Sequence, residues 1–202
     1  MPSSDIETRH VEAELRVSFG EGMRALITGY PIVFNVMSVN LGGFREIIRP
    51  EAVKRTLDEK LDVRAFIDHD TGKIIGRLSA KTLRLKPDDK GLHAEIDPPN
   101  TGPARDVVES IARGDITGMS FAFRVMPDGD DWKLVDEMPV REVFDMRILE
   151  VSPVSLPAYP QTEVEVGKRS AGVDAALASF AKWQATRSSV ALLEARQQQA
   201  RR

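Results

Sequence analysis

The spacing of the apolar residues between residues 24 and 160 limits the chain to one class of fold. These residues come in short runs that are separated by turns rich in Gly, Pro and Asp. In one run Leu92, Ala94 and Ile96 alternate with polar residues, which is the period of a strand with one buried face. Helical patterns are few, so the sequence predicts a mainly β (α+β) domain with peripheral helices.

Two stretches in this region are predicted as helices. Pro50 precedes a short helix at residues 51–57, because a proline loses no hydrogen bond in the first turn of a helix. A longer helix covers residues 103–113, with Thr101 as its N-cap and Gly114 closing it.

The chain is predicted to have three parts. Residues 1–22 are interpreted as a flexible N-terminal segment, frayed and polar over its first ten residues, followed by a first strand. The folded domain covers residues 23–166. Residues 167–202 form a linker, which ends near residue 172, and a helical C-terminal tail rich in Ala, Gln and Arg.

The composition excludes several classes of function. With 28 basic and 31 acidic residues the formal net charge is -3, which gives no electrostatic reason to bind nucleic acid or an anionic membrane. The chain has no cysteine, which excludes disulfides, thiolate zinc sites and a cysteine nucleophile. No apolar run approaches the roughly 20 residues that span a bilayer, and the N-terminus is polar. We therefore expect a protein that stays in the cell that made it.

Three histidines are available for acid–base chemistry: His10, His69 and His93. His10 lies in the polar end and is an unfavourable candidate. His69 follows a predicted strand and begins a charged turn, and catalytic residues are often placed on loops that a rigid scaffold holds. Its imidazole is suited to act as a general base near pH 7, although a solvated surface histidine fits the same pattern.

Ser120 is the candidate nucleophile. It lies in a predicted strand in which Met119, Phe121, Phe123 and Val125 share the buried face, so that Ser120 points the other way. A hydroxyl held by a strand on the face away from the core is expected to be accessible and rigid. An ordinary strand serine is the alternative.

Glu150 is the candidate acid. Strict alternation puts it at the end of an apolar row with Phe144, Met146 and Ile148, where a carboxylate needs a partner. A histidine N–H is one possible partner, as in a catalytic triad, and an arginine such as Arg45 or Arg147 is the other. The competing carboxylates are those of Asp68, Asp70 and Asp145.

Several segments occur together in a specific order. They are Gly29-Tyr30, Leu41-Gly42-Gly43-Phe44-Arg45-Glu46-Ile47-Ile48, Asp68-His69-Asp70, Ile75-Gly76-Arg77, Ala104-Arg105-Asp106, Met119-Ser120-Phe121, Glu150-Val151-Ser152-Pro153-Val154 and Pro157-Ala158-Tyr159-Pro160. This pattern, over about residues 23–166, resembles the caudoviral prohead serine protease family.

The resemblance implies a fold like that of the herpesvirus assembly protease, a small closed β-barrel with helices around it. It implies a serine endopeptidase of a tailed phage or prophage, located in the host cytoplasm inside the procapsid. Its substrates would be the scaffolding protein or the scaffold-like segment of the major capsid protein, and the protease itself. The resemblance is also compatible with a homo-oligomer. Ser120 would be the nucleophile and His69 the base. The herpesvirus enzyme uses a second histidine after its serine; none follows Ser120 here, so Glu150 takes that role. No cofactor or metal is implied.

Two other interpretations remain open. The chain fits a catalytically inactive capsid-assembly factor of the same fold that binds scaffold. The helical tail also fits a scaffold-binding element, removed by cleavage in the linker.

Overall fold

The computed structural model describes residues 6–12, 14–20, 24–155 and 171–200. These residues form strands, three α-helices and a 3-10 turn at Pro50–Val53. The strands are β1 (Glu7–Glu12), β2 (Arg16–Phe19), β3 (Ala25–Val33), β4 (Arg45–Ile48), β5 (Arg64–Ile67), β6 (Asp70–Arg77), β7 (Leu83–Pro87), β8 (Gly91–Ile96), β9 (Gly118–Val125), β10 (Asp130–Val135), β11 (Met138–Val143) and β12 (Met146–Val154). The helices are α1 (Lys54–Asp58), α2 (Gly102–Arg113) and α3 (Ala171–Ala200). Within the described part of the chain, none of these helices combines the length and the apolar character that crossing a membrane requires.

The strands pair into three sheets. The five-stranded sheet has the order β1-β9-β12-β5-β6, the four-stranded sheet β2-β3-β8-β7, and the three-stranded sheet β10-β11-β4. The mainly β class is therefore confirmed, but the expected closed barrel is not: among the described residues no sheet closes on itself, and β1 and β6 remain the two edges of the largest sheet. Apolar faces are buried by packing between the sheets instead of by closure.

The main core lies between the five-stranded and four-stranded sheets. Phe121 and Phe123 of β9 share one hydrophobic cluster with Ile96 of β8 and with Val107 and Ile111 of α2. The two phenylalanine rings stack with their centroids 5.0 Å apart. This packing fixes β9 from one face, so the opposite face of β9 is available for polar residues.

The predicted helix at residues 103–113 is close to the observed α2. Its C-terminus ends at Gly114, whose φ of 84° is the left-handed conformation that a glycine adopts without strain. Thr101 stands at the N-cap position, but its side chain makes no capping hydrogen bond. The short helix predicted at residues 51–57 is divided into the 3-10 turn and α1.

The N-terminal residues differ from the prediction. Glu7 to His10 are not a frayed end but form the first part of β1, which pairs antiparallel with β9 from Gly118 to Phe123. The strand pattern was hidden because the buried side of β1 carries Glu7 and Arg9 in place of apolar residues. Both charged groups are stabilised by ion pairs, which makes their burial possible.

The C-terminal helix α3 packs on the domain near its start. Ala176 is fully buried in a second small cluster with Phe44 and Trp132, and the Trp132 Nε1–H donates a hydrogen bond to Ser179 Oγ at 3.2 Å. Most of the predicted linker, residues 167–170, lies outside the described residues.

Candidate active site

Ser120 lies on the face of β9 that is opposite to the main core. Its neighbours Met119 and Phe121 are buried in that core, as the alternation of the sequence predicts. Across the sheet Ser120 is directly opposite His10 of β1 on one side and Ser152 of β12 on the other. Ser120 is therefore flanked by one polar residue on each neighbouring strand.

The expectation that Ser120 is accessible is wrong for this structure. The residue has a relative exposure of 0%, and its hydroxyl donates a hydrogen bond to the backbone carbonyl of Arg9 at 2.8 Å. The reason is β1, which the sequence did not show to be a strand at Glu7 to His10 and which covers the edge of β9.

His69 lies in the tight turn between β5 and β6. The two central residues of this turn, Asp68 and His69, have φ values of 48° and 60°, and positive φ at both positions is what a two-residue hairpin turn of type I′ requires. Asp68 holds the turn against the end of β12: its N–H donates to the Pro153 carbonyl at 3.1 Å, and its Oδ1 accepts from the Ser155 N–H at 2.7 Å. The backbone that carries His69 is thus fixed from outside the turn.

A β-bulge in β12 brings Glu150 to the same face as Ser120. Ile148 is opposite Phe123, Glu150 is opposite Ala122, and Leu149 between them has no partner in the register. The extra residue reverses the alternation. Strict alternation predicted Glu150 on the face of Ile148, and that placement is wrong because of the bulge.

His69 and Glu150 are in direct contact. The distance from His69 Nδ1 to Glu150 Oε1 is 2.5 Å. A carboxylate can only accept, so in this pair Nδ1 carries the proton and donates it. In the neutral ring Nε2 is then the unprotonated nitrogen. That atom is buried and has no hydrogen-bond partner among the described residues, so it is free to accept a proton.

The competing acids are engaged elsewhere. The carboxylate of Asp68 binds Ser155, that of Asp70 accepts from the Gly72 N–H, and that of Asp145 forms an ion pair with Arg55. The backbone N–H of Gly72, followed by Lys73, holds the pKa of Asp70 below its ordinary value. Glu150 is the carboxylate that contacts His69.

His10 is a neighbour of the site that the sequence did not reveal. Its ring lies edge-on to that of His69 with the centroids 5.6 Å apart. The residue is exposed as a whole, yet partial burial of its ring and, after that, the charge of His69 hold the pKa of His10 below its ordinary value. No pattern in the sequence identified it, because the strand that carries it is stabilised by the buried ion pairs of Arg9 and not by apolar residues.

The arrangement is suited to acyl transfer. A hydroxyl is held on a rigid strand. An imidazole in contact with His10, the residue opposite Ser120, has one nitrogen without a partner among the described residues, and a carboxylate binds its other nitrogen. These groups are of the three kinds that a nucleophilic triad uses. In the state described here the hydroxyl is bonded to Arg9 and not to the imidazole, so the sequence-predicted residues His69 and Glu150 are joined directly and Ser120 is not joined to them by a hydrogen bond.

Comparison with models of known families identifies the family of the chain. The family model described as caudovirus prohead serine protease matches residues 5–175, which confirms the resemblance seen in the sequence. No curated protein matches the chain. Among solved structures it is similar to the capsid assembly protease gp21 of bacteriophage T4, with 12% identity and a TM-score of 0.46 over 73% of this chain and 98% of that one.

Proposed function

The chain belongs to the caudovirus prohead serine protease family, and from that membership we propose that it is the endopeptidase that trims capsid-assembly proteins inside the immature head. Its substrates are the scaffolding protein or the scaffold-like segment of the major capsid protein, and its own chain. It acts in the host cytoplasm, enclosed in the procapsid.

The contact between His69 and Glu150, made on the face of the sheet that also carries Ser120, is the observation that carries the proposal. In the reaction Ser120 Oγ attacks the scissile carbonyl carbon, and His69 Nε2 takes the hydroxyl proton. The same proton then passes to the leaving amine as the C–N bond breaks, which leaves the acyl group on Ser120. Water, deprotonated by His69, hydrolyses this ester and restores the enzyme. Glu150 keeps the proton of the ring on Nδ1 throughout.

The hydroxyl of Ser120 must first change its partner. In the resting structure it donates to the Arg9 carbonyl, whereas His69 Nε2 is unpartnered within the described part of the chain. In the proposed reaction the hydroxyl exchanges the Arg9 carbonyl for His69 Nε2 as its acceptor. Because Ser120 is fully buried, access for a substrate also requires a local opening on the side of β1.

Co-expression with the cognate capsid and scaffolding proteins tests the proposal. The wild type is expected to shorten one of them, as seen by intact mass spectrometry, and Ser120→Ala to abolish the cleavage, since loss of a triad nucleophile lowers kcat by roughly 10⁶-fold. Ser110→Ala is the matched control, because Ser110 lies on α2 and its hydroxyl only bonds the Asp106 carbonyl.

A fluorophosphonate probe gives a second measurement that needs no substrate. We expect it to label the wild type on the peptide that contains Ser120 and to leave Ser120→Ala unlabelled. Cleavage that persists in Ser120→Ala would show that another residue is the nucleophile. Absence of both cleavage and labelling in the wild type would contradict the protease assignment.

One observation favours a second function, an inactive assembly factor that keeps the family fold and binds scaffold. Ser120 is fully buried and bonded to the backbone of β1, which is an arrangement that a purely structural serine would show. This alternative predicts that Ser120→Ala supports head assembly as well as the wild type does.

A further inference from the structure

Ser152 is a second serine at the centre of the site. It lies on β12 directly opposite Ser120 and has a relative exposure of 0%. Its hydroxyl donates to Glu150 Oε2 at 2.6 Å. Because the bulge in β12 turns both Glu150 and Ser152 to the face of Ser120, the two side chains are adjacent on that face.

The two oxygens of the Glu150 carboxylate are thus bound by two different donors. Oε1 is bound by His69 Nδ1 and Oε2 by the Ser152 hydroxyl. A carboxylate held at one oxygen only can still rotate about its last bond, because such terminal torsions have broad minima. Binding at both oxygens fixes the plane of the group, and hence the direction in which Oε1 meets the imidazole.

Burial makes this second donor important. Glu150 has a relative exposure of 8%, so water is a poor substitute for a missing partner. An unsatisfied oxygen of a buried carboxylate is expensive, and the side chain reorients to recover a hydrogen bond where it can. Without the serine hydroxyl, His69 Nδ1 is the hydrogen-bond donor that remains to this carboxylate.

We propose that Ser152 is a positioning residue of the proteolytic reaction: it fixes the Glu150 carboxylate in the orientation that directs Oε1 to His69 Nδ1, and so holds the imidazole with Nε2 towards the nucleophile. The proposal rests on the proposed function, since it concerns the same reaction. Ser152 acts through Glu150 and does not touch the substrate.

Steady-state kinetics of Ser152→Ala test the proposal. We expect kcat for a cleaved peptide to fall roughly tenfold, which is the loss that one hydrogen bond to a charged group accounts for, while KM stays unchanged. Ser152→Thr keeps the hydroxyl and should restore most of kcat. Val154→Ala is the matched control: Val154 is the next residue on the same face of β12, is also buried, and its truncation removes packing without removing a donor.

A proton NMR spectrum provides a measurement that does not depend on activity. The proton between His69 Nδ1 and Glu150 gives a downfield signal, which His69→Asn identifies by removing it. We expect Ser152→Ala to shift or broaden this signal and Val154→Ala to leave it in place. Equal losses of kcat in the two variants with an unmoved signal would show a structural role and overturn the proposal, as would an unchanged kcat and signal in Ser152→Ala.

Failure of the proposed mechanism can be told apart from failure of the role given to Ser152. If Ser120→Ala still cleaves the peptide, the proposed mechanism fails, whereas the NMR comparison still reports whether Ser152 orients the pair of His69 and Glu150. If Ser120→Ala is inactive and Ser152→Ala behaves like the wild type in both measurements, the mechanism stands and Ser152 has no positioning role.

Discussion

The charge of Glu150 is the property of this residue on which the proposed reaction depends. Glu150→Gln keeps the size of the side chain but offers His69 an amide, which can donate as well as accept and no longer fixes the proton on Nδ1. We expect kcat to fall by about 10⁴-fold, as when the acid of a triad is replaced by its amide. The measurement is the rate of peptide cleavage at pH 7.

Glu95→Gln is the control for that substitution. Glu95 forms an exposed pair with Arg84 on β7 and β8, away from the site, and such pairs contribute little. The Glu95→Gln variant should cleave the peptide at the rate of the wild type. A loss of activity in Glu150→Gln no larger than in Glu95→Gln would contradict the role given to Glu150.

The sequence predicted the position of some residues of the site correctly and that of others wrongly. Alternation along β9 correctly placed Ser120 on the face away from the core, because that strand is regular. The same rule failed for Glu150, because no residue from Ile148 to Glu150 indicates a β-bulge. His10 was missed because its strand is stabilised by buried ion pairs and not by an apolar pattern.

At the scale of elements, β1 is held by a buried network of charges. Arg9 Nε donates to Glu46 Oε1 at 2.8 Å, and its Nη2 donates to Glu7 Oε2 at 2.7 Å. Arg141 binds the same two carboxylates and also Asp130. The network joins β1 to the three-stranded sheet, so the strand that supplies the acceptor for Ser120 is fixed on its far side.

Arg9→Ala is expected to destabilise the protein by about 3–5 kcal/mol, because it leaves Glu7 and Glu46 buried with one cation fewer. The free energy of unfolding in urea measures this loss. Arg84→Ala breaks an exposed pair with Glu95 and should cost no more than about 1 kcal/mol. Equal effects of the two substitutions would show that the network does not hold β1.

The sequence predicted elements well where local chemistry decides them. The end of α2 is fixed by Gly114, and the turn that carries His69 lies where the strand runs into charged residues. The start of β1 and the division of the last strands into β11 and β12 were not predicted, since both depend on pairing with distant segments. The absence of a closed barrel among the described residues was not predicted either, since it depends on which strands pair with one another.

At the scale of the whole molecule, the same network makes stability depend on pH. Burial alone would raise the pKa of Glu46, but the charges of Arg9 and Arg141 outweigh it and hold this pKa below its ordinary value. A carboxyl with a lowered pKa in the folded state contributes stability above its unfolded pKa, which is about 4.3 for Glu, and loses it as the pH falls through the folded value.

We therefore expect the urea midpoint to be nearly constant from about pH 7 to pH 5 and to fall below about pH 4.3. Glu46→Gln should lower stability at pH 7 and flatten the acid part of the curve. Glu95→Gln is the control, since Glu95 forms an exposed pair with Arg84 away from the network, and this substitution should change the curve little. A wild-type curve that does not fall in acid would contradict this account.

The bulge at Leu149 has a consequence for how such a gene can vary. Deleting the codon for Leu149 would restore simple pairing between β12 and β9 and would leave Glu150 opposite Ala122 and Ser152 opposite Ser120, so the polar face of the site would be kept. Deleting the codon for Val151 would instead make Glu150 and Ser152 consecutive residues, which point to opposite faces of a strand. Every polar residue of the site would still be encoded, but Glu150 would lose Ser152 as its partner. Inheritance therefore has to preserve the number of residues between Glu150 and Ser152, whereas the number just before Glu150 can change by one.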